Sequence, residues 1–273
     1  MHRYELLDSG NQEKLERFGS YVLIRPCAAA VWKPALPQEK WRAAHGRFSR
    51  DDEGNRWQWR TSVPDSWTVE THGITFKVAP TDFGHLGLFP EHSLLWKWAA
   101  ENISKGTRVL NLFAYSGAAT LACARAGAEV CHLDASKGMV SWARENAALN
   151  SLQDKPIRWI VDDVLKFLKR EETRGRVYDG IILDPPSFGR GNQGEVFKIE
   201  RDLLPLLARC RALLSKTPRF VALSTHTPGM TPLVMRYVME EMMQGAPGKI
   251  EEGEMVIEGA RPLPSGCFAR WSC

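Results

Sequence analysis

"VLNLFAYSGAAT", residues 109–120, decides how this chain is read. An apolar run ends at Leu112, a short turn follows, and Gly117 opens a segment with helical spacing. Strand, tight turn and helix in that order begin an α/β unit. Such a turn cradles a pyrophosphate when it carries G-x-G-x-x-G, but here Phe113 and Tyr115 stand where the glycines would be. The pattern argues against a nicotinamide dinucleotide and for a cofactor without phosphates. A glycine at the start of the helix lets a ligand approach the backbone closely.

From this unit the alternation extends in both directions. Strands are expected at 107–112, 128–133, 157–161, 177–183, 219–224, 250–257 and 267–272. Helices are expected at 117–126, 136–150, 162–172, 196–214 and 231–243, and Pro90 suits the first position of a further helix. This order predicts an α/β fold with a doubly wound, mostly parallel seven-stranded sheet. The last two strands, joined by a short turn, predict a terminal antiparallel hairpin, an ending foreign to the usual dinucleotide fold.

Open α/β sheets bind ligands beyond the carboxyl ends of their strands. The second strand ends at Asp134, about 20 residues after the glycine turn, where an acid commonly holds ribose hydroxyls. Asp134 also precedes a helix, so it or Ser136 is a candidate cap. Of Asp162 and Asp163 after the third strand, one caps the next helix and the other is placed to bind an adenine amino group; Asp163 is the preferred adenine contact. The fourth strand ends in "LDPPSF", residues 183–188. Proline donates no ladder hydrogen bond, so the strand stops there. A stiff turn then presents the Asp184 carboxylate, bare carbonyls at Pro185 and Pro186, and the Phe188 ring. It is either a grip for a planar, amino-bearing substrate or a rigid strand-to-helix connection. No cysteine stands at the ends of the fourth or fifth strand, which argues against a thiolate attack on a pyrimidine ring. Cys210 falls mid-helix. The Gly-rich stretch 189–202 is either a lid or a solvated loop.

"NLFAYSG", "HLDAS", "ARENAALN", "VDDVLKFL" and "LDPPSF", in this order and spacing, resemble class I S-adenosylmethionine-dependent methyltransferases over about residues 80–273. The closest resemblance is to the branch of bacterial 23S ribosomal RNA methyltransferases. The resemblance implies S-adenosylmethionine as cofactor. It implies that Asn111, Phe113, Ala114, Tyr115, Ser116 and Gly117 line its methionine and ribose part, and that Asp134 and Ala135 meet the ribose. "FGHLGLFPEH", residues 83–92, resembles a lead-in that folds over the cofactor, through His85 and Phe89; core packing is the alternative for both. The implied reaction is methyl transfer to a nitrogen of an RNA base in ribosomal RNA, with Asp184, Pro185, Pro186 and Phe188 at the acceptor. The alternatives are a protein or small-molecule substrate, or a non-catalytic RNA factor.

Residues 1–82 have another texture: a small β-rich domain before a methyltransferase domain at 83–273. "SYVLIRP" and "AAAVW" read as strands, Gln12–Phe18 as a short helix, and hairpins are expected to turn at Asp52–Asn55 and His72–Gly73. Between Arg25 and Arg60, eight Lys/Arg and four Asp/Glu interleave with Trp32, Trp41, Trp57 and Trp59. The arginines suit RNA, and the tryptophans a small core. Net charge is +4 over 273 residues, which permits an anionic partner without requiring one. None of the six cysteines forms C-x-x-C, and no zinc spacing is present, so no metal is expected. Neither a signal core nor a membrane span is legible at the sequence level, and a cytoplasmic protein is expected.

Overall fold

The computed structural model describes residues 3–51, 54–190 and 194–273. It divides into two compact units, 1–93 with 256–265, and 94–255 with 266–273. The first unit ends at Ser93, and the tip of the terminal hairpin groups with it. Among the described residues no helix is long and apolar enough to cross a membrane.

The first unit holds β1 (Tyr4–Gly10), β2 (Glu13–Phe18), β3 (Tyr21–Pro26), a short α1 (Gln38–Arg42), β4 (Gly46–Asp51) and β5 (Gly54–Trp59), with the strands in that order in one sheet. β6 (Trp67–Thr71) and β7 (Ile74–Val78) form a separate hairpin. It turns at His72 and Gly73, both at positive φ, as expected of a two-residue hairpin loop. The other expected turn includes residues 52 and 53, which lie outside the described residues.

Two expectations fail here. Gln12–Phe18 is not helical: Asn11 and Gln12 turn with positive φ and the chain returns as β2. Helix propensity loses to tertiary pairing. Buried Glu16 accepts from Arg25 Nε at 2.7 Å and Nη2 at 2.8 Å, and from the Tyr4 hydroxyl at 2.9 Å. "AAAVW" is not a strand, because its carbonyls serve the β1–β2 turn: Asn11 N–H donates to Trp32 O and Gln12 N–H to Ala30 O, both at 2.7 Å.

The second unit holds α2 (Ser93–Glu101), β8 (Arg108–Leu112), α3 (Ala118–Arg125), β9 (Glu129–Asp134), α4 (Lys137–Leu149), β10 (Ile157–Val161), α5 (Val164–Thr173), β11 (Gly180–Leu183), β12 (Phe188–Arg190), β13 (Val196–Lys198), α6 (Ile199–Ala212), β14 (Phe220–Thr225), α7 (Pro232–Met242), β15 (Lys249–Ile257) and β16 (Leu263–Ser272). Pro90 opens a 3-10 turn just ahead of α2. The large sheet runs β10-β9-β8-β11-β14-β16-β15, with β16 antiparallel to β14, so the doubly wound sheet and the terminal hairpin are as expected. The strand order reverses between β8 and β11, which is the switch point of the sheet.

Register sets the rim. Ile160, Leu133, Leu112, Leu183 and Leu223 pair across five parallel strands in one row, and all four leucines are fully buried. The next residue on each strand, Val161, Asp134, Phe113, Asp184 and Ser224, is the first to reach the carboxyl edge.

Away from that rim, Glu171 on α5 is fully buried and accepts from Arg158 at 2.8 and 3.1 Å, Arg174 at 3.1 Å and the Tyr178 hydroxyl at 2.6 Å. Burial alone would raise this carboxyl, but those hydrogen bonds hold it down at about 2, below its ordinary 4.5. A depressed carboxyl stabilises the fold above its ordinary value, and that stabilisation disappears as pH falls towards 2. Glu171→Gln is therefore expected to cost about 2 kcal/mol at neutral pH, allowing for screening at the partly exposed arginines. In urea titrations the gap between wild type and variant should close between about pH 4.5 and 2.

Candidate active site

The loop after β8 is strained. Phe113 and Tyr115 have φ of 55° and 49°, which side-chain-bearing residues seldom adopt. Hydrogen bonds to β9 and α4 hold it. Ala114 N–H donates to Leu133 O at 3.0 Å, Tyr115 N–H to Asp134 Oδ2 at 2.9 Å, and the Asn146 amide to Ser116 O at 2.9 Å. Gly117 has φ of 93°, and a Cβ there would lie 2.9 Å from Ala143 Cβ on α4. The glycine is required by the turn and by helix packing, not only by a ligand's approach.

Asp134 receives a backbone N–H on each oxygen, from Tyr115 and from Ser136 at 2.8 Å. Burial nonetheless leaves its carboxyl above the ordinary value, the two N–H donors offsetting only part of that. Ser136, not Asp134, caps α4 by accepting from Met139 N–H at 3.3 Å, and Ala135 lies between them, half-buried. Asn111 is buried one row below the leucines, and its amide donates to Thr120 Oγ1 at 2.9 Å. Thr120 also bonds His132 Nδ1 at 2.9 Å, and burial, reinforced by Arg144, lowers that imidazole to about 3.

Asp163 caps α5 by accepting from Lys166 N–H at 2.9 Å. Of the pair, Asp163 is therefore the helix cap. Asp162 accepts from Asp163 N–H at 2.9 Å and is ion-paired with Arg170.

Across the switch point, Asp184 is half-buried and Pro185 buried. Ser224 Oγ–H donates to Asp184 Oδ1 at 2.8 Å. The Ser187 and Thr227 hydroxyls are bonded at 2.7 Å, and Thr225 donates to Thr227 at 3.0 Å. Phe188 is 50% exposed, with the Arg190 guanidinium 5.7 Å from its ring centre. The Gly-rich stretch thus contains a small hairpin, β12 with β13, whose residues 191–193 are outside the described set. His85 and Phe89 lie in the first unit, their rings edge-on at 5.1 Å.

Comparison with known proteins follows this geometry. The model of an S-adenosylmethionine-dependent methyltransferase family matches residues 21–252. This chain belongs to that family. Its methyl donor is S-adenosylmethionine. A crystal structure of a SAM-dependent methyltransferase from Agrobacterium tumefaciens is 39% identical at a TM-score of 0.94, covering 100% of this chain and 91% of that one. SMU.776, solved in complex with SAH, shares the fold at a TM-score of 0.80 and 19% identity, covering 99% and 75% of the two chains. Ribosomal RNA large subunit methyltransferase K/L of Shewanella baltica is 37% identical over 152 residues, 55% of this chain and 21% of that protein. Its counterpart from Hahella chejuensis is 40% identical over 150 residues, 54% and 20% of the two chains. This chain spans about a fifth of the length of these two relatives.

The rim fits such a cofactor. The loop lacks a glycine cradle for phosphates, and Asp134 is an acceptor-only carboxylate, already fixed by two N–H groups, with lone pairs left for vicinal hydroxyls. Sequence reasoning did not single out Asn146, although it lies in the quoted "ARENAALN", nor Thr227; Ser224 was placed at the end of the fifth strand without a partner. Their signal is a polar residue on an otherwise apolar element. Cys267 was also missed at the rim. It stands opposite Thr225 on the antiparallel strand, with its thiol pushed up by burial and by Glu254.

Gly117→Ala is expected to cost about 2 kcal/mol or more, from left-handed backbone strain and the contact with Ala143. Thermal unfolding should show it as a lowered Tm.

Proposed function

We propose that this methyltransferase acts on a nitrogen of an RNA base, in ribosomal RNA. The observation that carries the reading is the Asp184–Pro185–Pro186 turn at the switch point. It presents a half-buried carboxylate one residue beyond a fully buried row. Ribosomal RNA as substrate is supported by the names of the relatives that match half of the chain.

In this reading Asp134 accepts the ribose hydroxyls and Phe113–Gly117 lines the methionine and ribose. With Asp163 capping α5, the adenine contact passes to Asp162. The cofactor supplies a methyl group on a sulfonium, already an electrophile. The chain's part is alignment. Asp184 and the Pro185 carbonyl accept hydrogen bonds from the acceptor N–H, and Asp184 takes the proton that nitrogen gives up. Phe188 offers a stacking face worth about 1–3 kcal/mol per base. Cys210 has no part in the chemistry: it is fully buried on α6, and burial, with Glu172, pushes its thiol up.

The first unit provides the RNA contact along its edge strand β5 and the residue after it, where Arg56 and Arg60 are exposed and Trp59 is 39% exposed, stacked on Trp57 with ring centres 4.9 Å apart. Arg25 and Arg47 are set aside, because the first is buried against Glu16 and the second pairs with Glu13. Trp32, Trp41 and Trp57 each donate their indole N–H within the unit, to Ser9 O, Asp8 and Thr81 O.

Asp134→Ala should weaken S-adenosylmethionine binding by about 1–3 kcal/mol in calorimetry, as for a lost hydrogen bond to a charged group. Asp184→Ala should keep that affinity and lose most turnover. With labelled cofactor, methyl should reach an in vitro transcript of large-subunit ribosomal RNA. The product should be a base methylated on nitrogen, and Cys210→Ser should stay within about tenfold of wild type. Label in protein rather than RNA, or 5-methylcytosine as product, would sink the reading.

A further inference from the structure

At the amino edge of the large sheet, across the strands from the cofactor rim, lies a cleft of about 390 Å³. That volume is within the range of small-ligand sites. Its floor is apolar: Val130, Cys131 and Tyr178 are buried and Val177 is half-buried. Its rim carries Arg108, Lys155, Arg158 and Arg176, with one carboxylate, Glu129. All of them belong to the second unit. Register brings them together, since Arg108 opens β8 opposite Glu129 and Arg158 pairs with Cys131.

The charges there do not cancel. Arg108 pairs with Asp179 at 3.6 Å. Glu171 is shared by Arg158 and Arg174, and one carboxylate neutralises one guanidinium. Lys155 and Arg176 are exposed and make no ion pair among the described residues. Asp154, next to Lys155, bonds Gln153 and lies outside the lining. Burial pushes the Cys131 thiol up to about 11 and raises the Tyr178 hydroxyl too, so the floor adds no negative charge at neutral pH. Five cations therefore stand against three carboxylates, Glu129, Glu171 and Asp179. A cleft with an excess of one sign over a low-dielectric floor concentrates ions of the other sign. Arg158 is preset for one: Glu171 takes two of its N–H groups, at 2.8 and 3.1 Å, which fixes the guanidinium plane and leaves its other donors.

We propose that this cleft binds a nucleotide through its phosphate, as a free nucleotide or as one unit of an RNA chain. The phosphate meets Arg158, Lys155 and Arg176, and the sugar or base lies on the floor of Val130 and Val177. The site is separate from the cofactor's, which lies at the carboxyl edge of the same strands. Only the RNA source rests on the reading that RNA is the substrate.

Uridine 5′-monophosphate is titrated into the isotope-labelled full chain, with S-adenosylhomocysteine saturating the cofactor site. Backbone amide shifts should move at Val130, Cys131, Arg158 and Val177, and not at Tyr115 or Ser136. Uridine, which lacks the phosphate, should move none of them. Lys155→Glu combined with Arg176→Glu should weaken nucleotide binding about tenfold or more and leave Tm and S-adenosylmethionine affinity unchanged. Glu129→Gln should tighten binding about two- to fivefold, which damage to the fold would not do. An oligouridine of about ten nucleotides separates the two sources. Tighter binding than the mononucleotide, lost in the double variant, assigns an RNA chain; binding no tighter assigns the free nucleotide. No shift at the cleft with either probe, or shifts that persist at the same concentrations in the double variant, overturns the proposal. A ribosomal transcript that receives no methyl group while the cleft shifts remain would remove the RNA reading and leave the nucleotide site standing.

Discussion

The register of five parallel strands is the constraint on which the site depends. Ile160, Leu133, Leu112, Leu183 and Leu223 form one row, and the leucines exclude water completely. A one-residue slip would turn every side chain to the opposite face of the sheet, so the apolar row fixes what stands above it. The carboxylates of Asp134 and Asp184 thereby come to the same edge, on strands separated by β8. Neither needs a loop to carry it there.

The two carboxylates are held differently. Asp134 is clamped by two backbone N–H groups from separate segments, which fix it whatever the side chains nearby. Asp184 accepts from a side-chain donor on the neighbouring strand, the Ser224 hydroxyl. The proline pair that stiffens the turn also removes two backbone donors from it, while Ser187 O accepts from Ile199 N–H at 3.1 Å. The polar end of β14 and its loop offset that loss through Ser224 and Thr227.

The second unit was largely legible because its cues are local. Apolar runs ending in Asp134, Asp184 and the Gly117 turn gave strands and helices within a few residues of those observed, and the hairpin after α7 was read from its short turn. The first unit was less legible because its structure is set by distant pairing. Glu13–Phe18 carries helix-forming charges, but Glu16 is buried beside Arg25 from the neighbouring strand, which no window of sequence reveals. Arg25 read as an RNA-facing charge for the same reason. At the site, the acids were found by strand ends. Which of Asp162 and Asp163 caps α5 depends on one side-chain torsion, and the pattern D-D does not contain it. Ser224 was legible as a polar residue at the end of the fifth strand, but not as a partner of Asp184. Only the register with β11 shows what it faces.

Strain at the cofactor loop completes the picture. Left-handed backbone at Phe113 and Tyr115 costs roughly 1–2 kcal/mol per residue. Hydrogen bonds to β9 and α4, each worth about 0.5–1.5 kcal/mol net, offset that cost. What it gains is direction. The alternating backbone aims Tyr115 N–H at Asp134 and leaves Ser116 O for Asn146, so loop, carboxylate and α4 are fixed relative to one another before any ligand arrives. Asn111, Thr120 and His132 support this from below as a buried polar row in which the imidazole stays neutral. A neutral row adds no charge beneath Asp134, whose carboxyl burial already raises. Replacing the row with charged groups would shift that carboxyl further, and replacing it with apolar ones would release the helix start that carries Gly117.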